Sequence, residues 1–393
     1  MSAFTRGTGE QPRSGAPEAR YRGRTAALAA LALAAVLVGC ASGDRSAAPA
    51  PLPPADARAL IVSLLPPATP DRTGWATDIH AAFSALQIDT TPEHVCAALA
   101  VIEQESTFRV DPPVPRLPDI TWQEIDRRAE RLGVPRLVVR AALQLSSPDG
   151  RSYAERIDAA RTEKDLSRLF EDFIGMVPLG RRLFGGYNPV RTGGPMQVSI
   201  AFAEQQADDN PYPYPAADGI RAEVFTRRGG LYFGIAHLLD YPAAYDRPLY
   251  RFADFNAGRY ASRNAAFQQA LSTVTGIPLA LDGDLVRHDD DGDGKPGATE
   301  SAALSLAERL DLSPGAVRDA LAQGGGAGFG ETRLYRRVFE LAERQQGKAL
   351  PRAVVPRIKL QSPKIQRKLT TEWFATRVDE RYKRCLARRG VGA

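Results

Sequence analysis

The sequence is poor in the residues that dominate metal, redox and membrane-spanning proteins. Its 393 residues include three Cys, four His and three Met. So few cysteines exclude a disulfide-rich scaffold, and no histidine has zinc-ligand spacing to a cysteine or carboxylate. No apolar run is long enough to span a bilayer comfortably, and no glycine-rich nucleotide loop or Ser-His-Asp order is present. What remains is a large globular chain with 44% hydrophobic residues, enough to bury a sizeable core.

The first 39 residues have the pattern of a bacterial lipoprotein signal peptide. Five arginines precede an apolar run from Thr25 to Gly39, which has the length of a signal-peptide core. The run ends in Leu-Val-Gly-Cys40, which resembles a lipobox, so we expect Cys40 to carry a lipid anchor. No Asp follows Cys40, and by resemblance to Gram-negative lipoproteins this predicts an outer-membrane lipoprotein on the periplasmic face. The alternatives are an ordinary secretory signal or a buried helix.

The charge balance does not point to nucleic acid. Without residues 1–39 the chain keeps 46 basic and 44 acidic residues, so we predict no nucleic-acid partner. Residues 347–393 are the exception, with 13 Lys or Arg against three Asp or Glu. An acidic polymer or lipid head groups could bind this segment, but a solvated face paired with the acidic body is the simpler explanation.

Helical periodicity predicts a mainly α fold. Thr91 followed by Pro92 indicates a helix start, and Thr121 with Glu124 indicates a capping box. Residues 323–330, QGGGAGFG, are typical of a flexible joint. The predicted organisation is a signal peptide (1–39), a Pro/Ala-rich tether (40–57), a main domain (58–278) with a helical insertion at about 112–192, an acidic loop with its helices (279–322), and a basic segment packing back on the body (323–393).

Glu105 is the residue with the clearest chemistry. It follows Ile102 by three residues and Ala98 by seven, so it continues the apolar stripe of its helix close to the helix end. Apolar neighbours and the negative end of the helix dipole both disfavour the ionised carboxylate. A general acid at neutral pH needs such surroundings. Taken alone, however, a Glu at a helix end is more often a solvated terminus.

Four short motifs, in order, resemble those of the lysozyme-like lytic transglycosylases that cleave peptidoglycan. They are Glu105-Ser106 at a helix end, GGPMQV at 193–198, YFGIAHLL at 232–239, and Asn-Ala-Gly at 256–258. The resemblance implies a lysozyme-like domain with Glu105 as its single acid and base, and with the third motif on a helix beneath the groove. It also implies a set of substrate-binding residues: Ser106, Met196, Gln197, Tyr232, Asn256 and Gly258. Over most of its length the chain further resembles an uncharacterised family of bacterial outer-membrane lipoproteins.

The resemblance implies cleavage of the β-1,4 bond between MurNAc and GlcNAc with a 1,6-anhydro product. That reaction needs no second carboxylate, and none is evident, since Asp111 is typical of a turn. The 88 residues between Glu105 and Gly194 exceed the usual family spacing. One alternative is a non-catalytic peptidoglycan-binding or envelope-scaffold lipoprotein with a degenerate groove. Another is a hydrolytic muramidase, which would need a second carboxylate.

Residues 289–300, DDDGDGKPGATE, match the EF-hand calcium loop pattern in full. The predicted ligands are Asp289, Asp291, Asp293, the backbone carbonyl of Lys295, and Glu300. The segment before the loop does not have a helical pattern, so we predict one EF-hand-like loop with a structural Ca²⁺ rather than a sensor. An acidic solvated turn is the alternative.

Cys96 and Cys385 form an even pair if Cys40 is lipidated. In an oxidising compartment such a pair predicts a disulfide between an early helix and the C-terminal segment, and two unpaired core thiols are the alternative. We expect a monomer whose partners are peptidoglycan and, through the lipid anchor, the outer membrane.

Overall fold

The computed structural model describes residues 51–390 except 177, 181, 183–184, 287–294 and 361–368. Over these residues the chain is mainly helical, as predicted, with two short hairpins. The first seven helices are α1 Pro54–Leu64, α2 Arg72–Ala85, α3 Pro92–Glu105, α4 Leu117–Arg131, α5 Arg136–Ala142, α6 Tyr153–Ala159 and α7 Glu163–Gly175. The first hairpin follows, with antiparallel strands β1 Thr192–Gly193 and β2 Val198–Ser199.

The second half of the chain continues the helical pattern. Its helices are α8 Ile200–Asp209, α9 Ile220–Val224, α10 Arg227–Leu239, α11 Pro248–Ala257, α12 Ala261–Thr275, α13 Ala298–Ser305, α14 Pro314–Leu321, α15 Arg333–Gln346 and α16 Thr371–Ala387. A second antiparallel hairpin, β3 Lys359–Leu360 with β4 Leu369–Thr370, precedes α16. No helix in the described part of the chain is long and apolar enough to cross a membrane.

The largest hydrophobic cluster, here called the main core, joins distant parts of the chain. It contains buried side chains from α1, α2, α3, the first hairpin, α10, α11 and α16. Helix α3 is its centre, because every residue from Val95 to Ile102 is buried. Burying an apolar side chain stabilises the folded state by about 1.5–3 kcal/mol, so this cluster dominates the stability of the region around Glu105. Helix α10 packs against both α3 and β2.

Helices α4–α7, here called the insert, have a much smaller core of their own. Four buried residues, Leu143, Tyr153, Ile157 and Leu169, form it. The predicted capping box at Thr121 is wrong: α4 begins four residues earlier, and the Thr121 hydroxyl donates to the Leu117 carbonyl at 2.8 Å. Proline in the first turn explains the earlier start, because its missing N–H would have no intrahelical partner there anyway.

A third cluster of buried residues links α12 to α15. It takes in the end of the predicted main domain, 266–274, together with residues 302–342. Residues 323–330 are not an open joint, because they form two 3₁₀ turns at Ala322–Gly325 and Ala327–Glu331. The buried Arg263 fixes them by donating to the carbonyls of Gly324 (2.6 Å) and Gly326 (2.8 Å).

Candidate functional site

Glu105 is the last residue of α3, and the chain turns away sharply after it. The start of this helix is as predicted, since Thr91 accepts a hydrogen bond from the His94 amide at 3.2 Å. At the other end, the amide and hydroxyl of Ser106 both donate to the Ile102 carbonyl at 3.0 Å. Thr107 and Phe108 then adopt left-handed φ angles of 52° and 59°. That rare conformation stops the helix, so Glu105 stands at the negative end of its dipole.

The surroundings of Glu105 favour the protonated carboxyl. Burial raises the pKa of Glu105 to about 7 from its ordinary value of 4.5, repulsion by the Glu163 carboxylate adds to the rise, and attraction by Arg381 opposes it. The residue as a whole is only half-buried. Among the described residues, none donates a hydrogen bond to its carboxyl group. A carboxyl that is protonated near neutral pH, on a residue that retains some exposure to solvent, has the properties of a general acid.

Glu163 is the functional candidate that the sequence did not reveal. It is the first residue of α7, is 7% exposed, and lies close enough to Glu105 for their charges to repel. The loop after Glu105 brings it there: Pro113 pairs with Thr162, and the Val114 amide donates to the Arg161 carbonyl at 2.9 Å. A negative charge is favoured at the first turn of a helix and disfavoured at the last. The two carboxyls therefore occupy opposite helix-dipole environments.

The C-terminal helix α16 supplies the positive charge of the site. The guanidinium of Arg381 lies 3.6 Å from the Glu103 carboxylate, and Arg384 lies 3.4 Å from the same oxygen. Glu103 is thus paired with arginines and faces away from the apolar stripe, as expected. Because Arg381 also attracts the charge on Glu105, α16 is part of the electrostatic environment of the acid.

The predicted disulfide is confirmed. Cys96 on α3 and Cys385 on α16 are bonded, with 5.5 Å between their Cα atoms and 289 residues between them in sequence. Both cysteines are buried in the main core. The bond holds the helix that carries Glu105 against the helix that carries Arg381.

The GGPMQV segment forms the tight turn of the first hairpin. Gly194 has a φ of 73°, and a Cβ there would lie 2.1 Å from the Val224 carbonyl oxygen, so only glycine fits. Met196 is fully buried against Gly234 of α10, which gives it a packing role in place of the predicted substrate contact. Gln197 is half-buried, and its side-chain amide donates to the Gly194 carbonyl at 3.1 Å.

Tyr232, Asn256 and Gly258 lie on other elements. Tyr232 is 2% exposed in the core, so its predicted contact with substrate is replaced by packing. Asn256 is half-buried, and its side-chain oxygen accepts a hydrogen bond from the Thr371 hydroxyl at 3.0 Å. Gly258 is exposed with a φ of 107° and ends α11.

The buried Asp254 holds the 256–258 turn in place. Its carboxylate accepts from the hydroxyls of Tyr241 (3.1 Å) and Tyr245 (2.6 Å) and from the amides of Tyr260 (3.0 Å) and Ser262 (2.7 Å). Burial raises the pKa of Asp254, although these four hydrogen bonds favour its charged form. A buried carboxylate with four donors is a structural anchor rather than a proton donor.

The structure therefore brings Glu105, Ser106, Glu163 and Arg381 together at one end of α3. Gln197 and Asn256 lie on elements that share the main core with α3, but within the described part of the chain neither has a hydrogen bond to the Glu105 carboxyl. Of the predicted groove residues, Gln197, Asn256 and Gly258 retain access to solvent.

The predicted calcium and lipidation sites fall largely outside the described residues. This applies to Cys40, Asp289, Asp291 and Asp293. Of the remaining predicted ligands, Glu300 is paired with Arg318 at 2.9 Å, so its carboxylate would have to leave that guanidinium to bind an ion with both oxygens. Across the described ranges, no group of three or more His, Cys, Asp or Glu is placed to hold a metal.

Comparison with known proteins identifies the family but not an activity. Residues 68–388 match the family model described as "Protein of unknown function (DUF1615)". The chain is 53% identical over 363 residues, which are 91% of this chain and 98% of the relative, to an Escherichia coli (strain K12) protein described as "Uncharacterized protein YaiW". No solved structure matches. On the extent of both matches, the chain belongs to the DUF1615 family.

Proposed function

We propose that the protein is a peptidoglycan lytic transglycosylase that cleaves the β-1,4 bond between MurNAc and GlcNAc. The observation that carries the proposal is the carboxyl of the half-buried Glu105, which lies at a helix end with its pKa raised to about 7 by burial. The resemblance of four motifs to lysozyme-like lytic transglycosylases supports the same conclusion. The proposed setting is an outer-membrane lipoprotein, anchored through Cys40 and acting as a monomer on the periplasmic face.

Glu105 would act twice in this reaction. As an acid it donates its proton to the glycosidic oxygen, and the C1–O4 bond breaks with its electron pair going to that oxygen. The sugar's own acetamido group can stabilise the positive charge that develops at C1. As a base, the Glu105 carboxylate then takes the proton from the C6 hydroxyl, whose oxygen bonds to C1. The 1,6-anhydro end forms, and the proton is back on Glu105.

The polar residues that remain accessible suit the binding of acetamido groups. Gln197 and Asn256 each carry an amide that can donate and accept. The second N–H of Gln197 remains available beside its bond to the Gly194 carbonyl. Ser106 already donates its hydroxyl to Ile102, so its role in this proposal is to fix the position of its neighbour Glu105.

Glu163 favours a second candidate, hydrolysis by a muramidase. No second carboxylate is evident from the sequence, and this one, on the insert, lies near enough to Glu105 to raise its pKa. In that reaction Glu105 protonates the leaving oxygen, and the Glu163 carboxylate removes a proton from an attacking water, which gives a reducing end. A third candidate is a non-catalytic peptidoglycan-binding or envelope-scaffold lipoprotein. It would bind peptidoglycan through the same residues and release no product.

Digestion of purified peptidoglycan sacculi separates the three candidates. The full chain is incubated with sacculi, and the soluble fragments are analysed by chromatography and mass spectrometry. We expect the wild-type protein to produce 1,6-anhydro ends, and we expect the rate of their formation to fall by about 10²–10⁴-fold in Glu105→Gln. The matched control is Glu93→Gln, an exposed residue in the first turn of the same helix.

Each candidate has its own outcome in this assay. Reducing ends that disappear in both Glu105→Gln and Glu163→Gln would favour hydrolysis and contradict transglycosylation. Sacculus binding without released fragments, in a chain whose fold is verified by circular dichroism, would favour the non-catalytic candidate. Equal activity in wild type and Glu105→Gln would end both enzymatic proposals.

Calcium binding at 289–300 is a separate proposal. The loop would hold Ca²⁺ through oxygen ligands and stabilise the segment that leads into α13. At a free ion concentration 100 times Kd, binding adds about 2.7 kcal/mol to the stability of the folded state. A melting temperature that rises with Ca²⁺ in wild type but not in Asp291→Asn would support it, and equal melting curves in Ca²⁺ and EGTA would contradict it.

A further inference from the structure

A cleft of about 840 Å³ opens between the insert and the elements after the first hairpin. Its lining comes mainly from α7, the segment before β1, the start of α8 and the segment leading into α9. Its volume lies within the range of about 300–1,000 Å³ that small-molecule sites occupy. Glu105 does not line it, so this space is distinct from the acid itself.

The charges that line the cleft are of two kinds. Arg156 pairs with Asp172 at 2.8 Å, and Arg221 lies 3.8 Å from Glu171, so these four largely satisfy one another. The remaining charged residues of the lining form no ion pair within the described part of the chain. They are Lys164, Arg168 and Arg191, together with Glu204 and Asp218.

Charges of both signs that form no ion pair with a described residue line the cleft. Lys164 and Arg168 lie on α7, and Arg191 directly precedes β1, whereas Glu204 lies on α8 and Asp218 lies just before α9. The three cations suit carboxylates, since a guanidinium can bind a carboxylate through two parallel hydrogen bonds. The two carboxylates suit an amine. A polyanion would be attracted by the three cations and repelled by the two carboxylates, so the lining favours a ligand with both charges.

The cleft adjoins the proposed active site through two elements. Lys164 lines the cleft, and the residue before it is Glu163, whose charge acts on Glu105. Arg191 and Ser199 line the cleft at the open end of the hairpin whose turn carries Gln197. A chain attached to a sugar near Glu105 could therefore extend into the cleft along α7.

We propose that this cleft binds the peptide stem of the peptidoglycan substrate, a short peptide with several carboxylates and one free amine. Lys164, Arg168 and Arg191 hold its carboxylates, and Glu204 and Asp218 hold its amine. The inference rests on the proposed function, because it assumes a glycan substrate with attached peptides. It adds a second recognition element, which would make the enzyme act on glycan that carries stems in preference to bare glycan.

The test measures binding in a chain that cannot turn over. The full chain with Glu105→Gln is titrated by calorimetry with the stem tetrapeptide acetylated at its N-terminus, because that amine is acylated in peptidoglycan. It is also titrated with the same peptide acetylated on its remaining amine as well, and with glycan strands stripped of peptides. Adding Arg168→Gln and Arg191→Gln is expected to weaken tetrapeptide binding at least tenfold. The matched control adds Arg309→Gln, an exposed arginine outside the cleft. Circular dichroism checks the fold of every variant.

The amine contacts are tested by crossing ligand and protein changes. Acetylation of the remaining amine of the peptide is expected to weaken binding several-fold in the Glu105→Gln chain. The same acetylation should have no effect in a chain that also carries Glu204→Gln and Asp218→Asn. Tetrapeptide affinity that is unchanged by the double arginine substitution, or equally reduced by Arg309→Gln, would overturn the inference. Binding of the stripped glycan strands without any binding of the tetrapeptide would also overturn the inference. Because this binding experiment needs no turnover, its result can be interpreted even if the protein shows no activity on sacculi. Activity on stripped strands without peptide binding would contradict the peptide-binding inference but not the proposed function.

Discussion

The two carboxyls of the site are carried by regions with very different support. Glu105 ends a helix whose eight residues from Val95 to Ile102 are all buried in the main core, and a disulfide ties that helix to α16. Glu163 begins a helix of the insert, whose own core has four buried residues. One carboxyl is therefore fixed by packing and a covalent bond, whereas the other depends on a small core and the loop after Glu105. The contrast predicts that the acid is rigid and its partner adjustable.

Charged side chains supply much of what the insert lacks in core. Arg140 lies over the Trp122 ring, 3.7 Å from its centroid, and also pairs with Asp126 at 3.0 Å. The Trp122 ring nitrogen donates to Asp158 at 2.7 Å, which ties α4 to α6. Such contacts are individually worth about 0.5–1 kcal/mol and are weakened by salt. The main core, held by apolar burial, should be far less sensitive to salt.

The largest expected effect on the main core comes from removing its disulfide. Replacing Cys96 and Cys385 together by Ser should reduce the free energy of unfolding by about 2–5 kcal/mol, because the unfolded chain regains the freedom of a very long loop. Urea denaturation followed by circular dichroism measures it. Reducing the wild-type protein should reproduce the loss. A change below about 0.5 kcal/mol would show that packing alone joins α3 to α16.

The next effect concerns the proton on Glu105. The pKa of Glu105 is raised in the folded state to about 7 from 4.5. Between these pH values the folded protein therefore binds more protons than the unfolded protein does. Stability should therefore fall as pH rises from about 4.5 to 7, by about 1–3 kcal/mol after allowance for partial exposure. Activity that depends on the protonated acid should fall above pH 7.

Substitutions isolate this contribution from that of other groups. Glu105→Gln should lose this part of the pH dependence, and Glu93→Gln should keep it. Glu163→Gln should lower the pKa of Glu105 and move the loss of stability to lower pH. Urea denaturation of the four proteins at pH 5 and pH 8 provides the comparison. Identical pH dependence in wild type and Glu105→Gln would mean that this carboxyl has an ordinary pKa.

The smallest effect tests the insert alone. Arg140→Ala should destabilise the insert by about 1 kcal/mol, because it removes both the contact with the Trp122 ring and the ion pair with Asp126. Hydrogen exchange of the α4 and α5 amides should speed up while that of α3 stays constant. Arg136→Ala is the control, since its pair with Glu130 is exposed and touches no ring. Faster exchange in α3 would show that the two regions unfold together.

Local patterns predicted local features well. Thr91 and Pro92 marked the start of α3, and the apolar stripe through Ile102 placed Glu105 at the end of a buried face. The prediction of a helix start at Thr121 was wrong, although the spacing of Thr121 and Glu124 satisfies a capping box. The helix begins at Leu117, with a proline in its first turn. The parity of two cysteines sufficed for the disulfide because an oxidising compartment was inferred independently.

Features that depend on distant segments could not be predicted in the same way. Glu163 is brought to Glu105 by pairing of the 113–114 loop with residues 161–162, and no local pattern encodes that approach. Met196 was expected to face substrate but fills space beside Gly234. Gly230 and Gly234 are four residues apart and therefore lie on the same face of α10. Two glycines on one helix face leave room for another segment to pack closely, and this spacing was the sequence feature that indicated packing of the first hairpin there.

The 289-residue separation of the two bonded cysteines has a consequence for biosynthesis. A ribosome completes the helix that bears the acid long before it makes α16, so the nascent chain contains Glu105 without the guanidinium that restrains its proton affinity. The environment of the acid is completed only when the last helix docks and the thiols are oxidised. Maturation of the whole chain is thus a precondition for the chemistry proposed at residue 105.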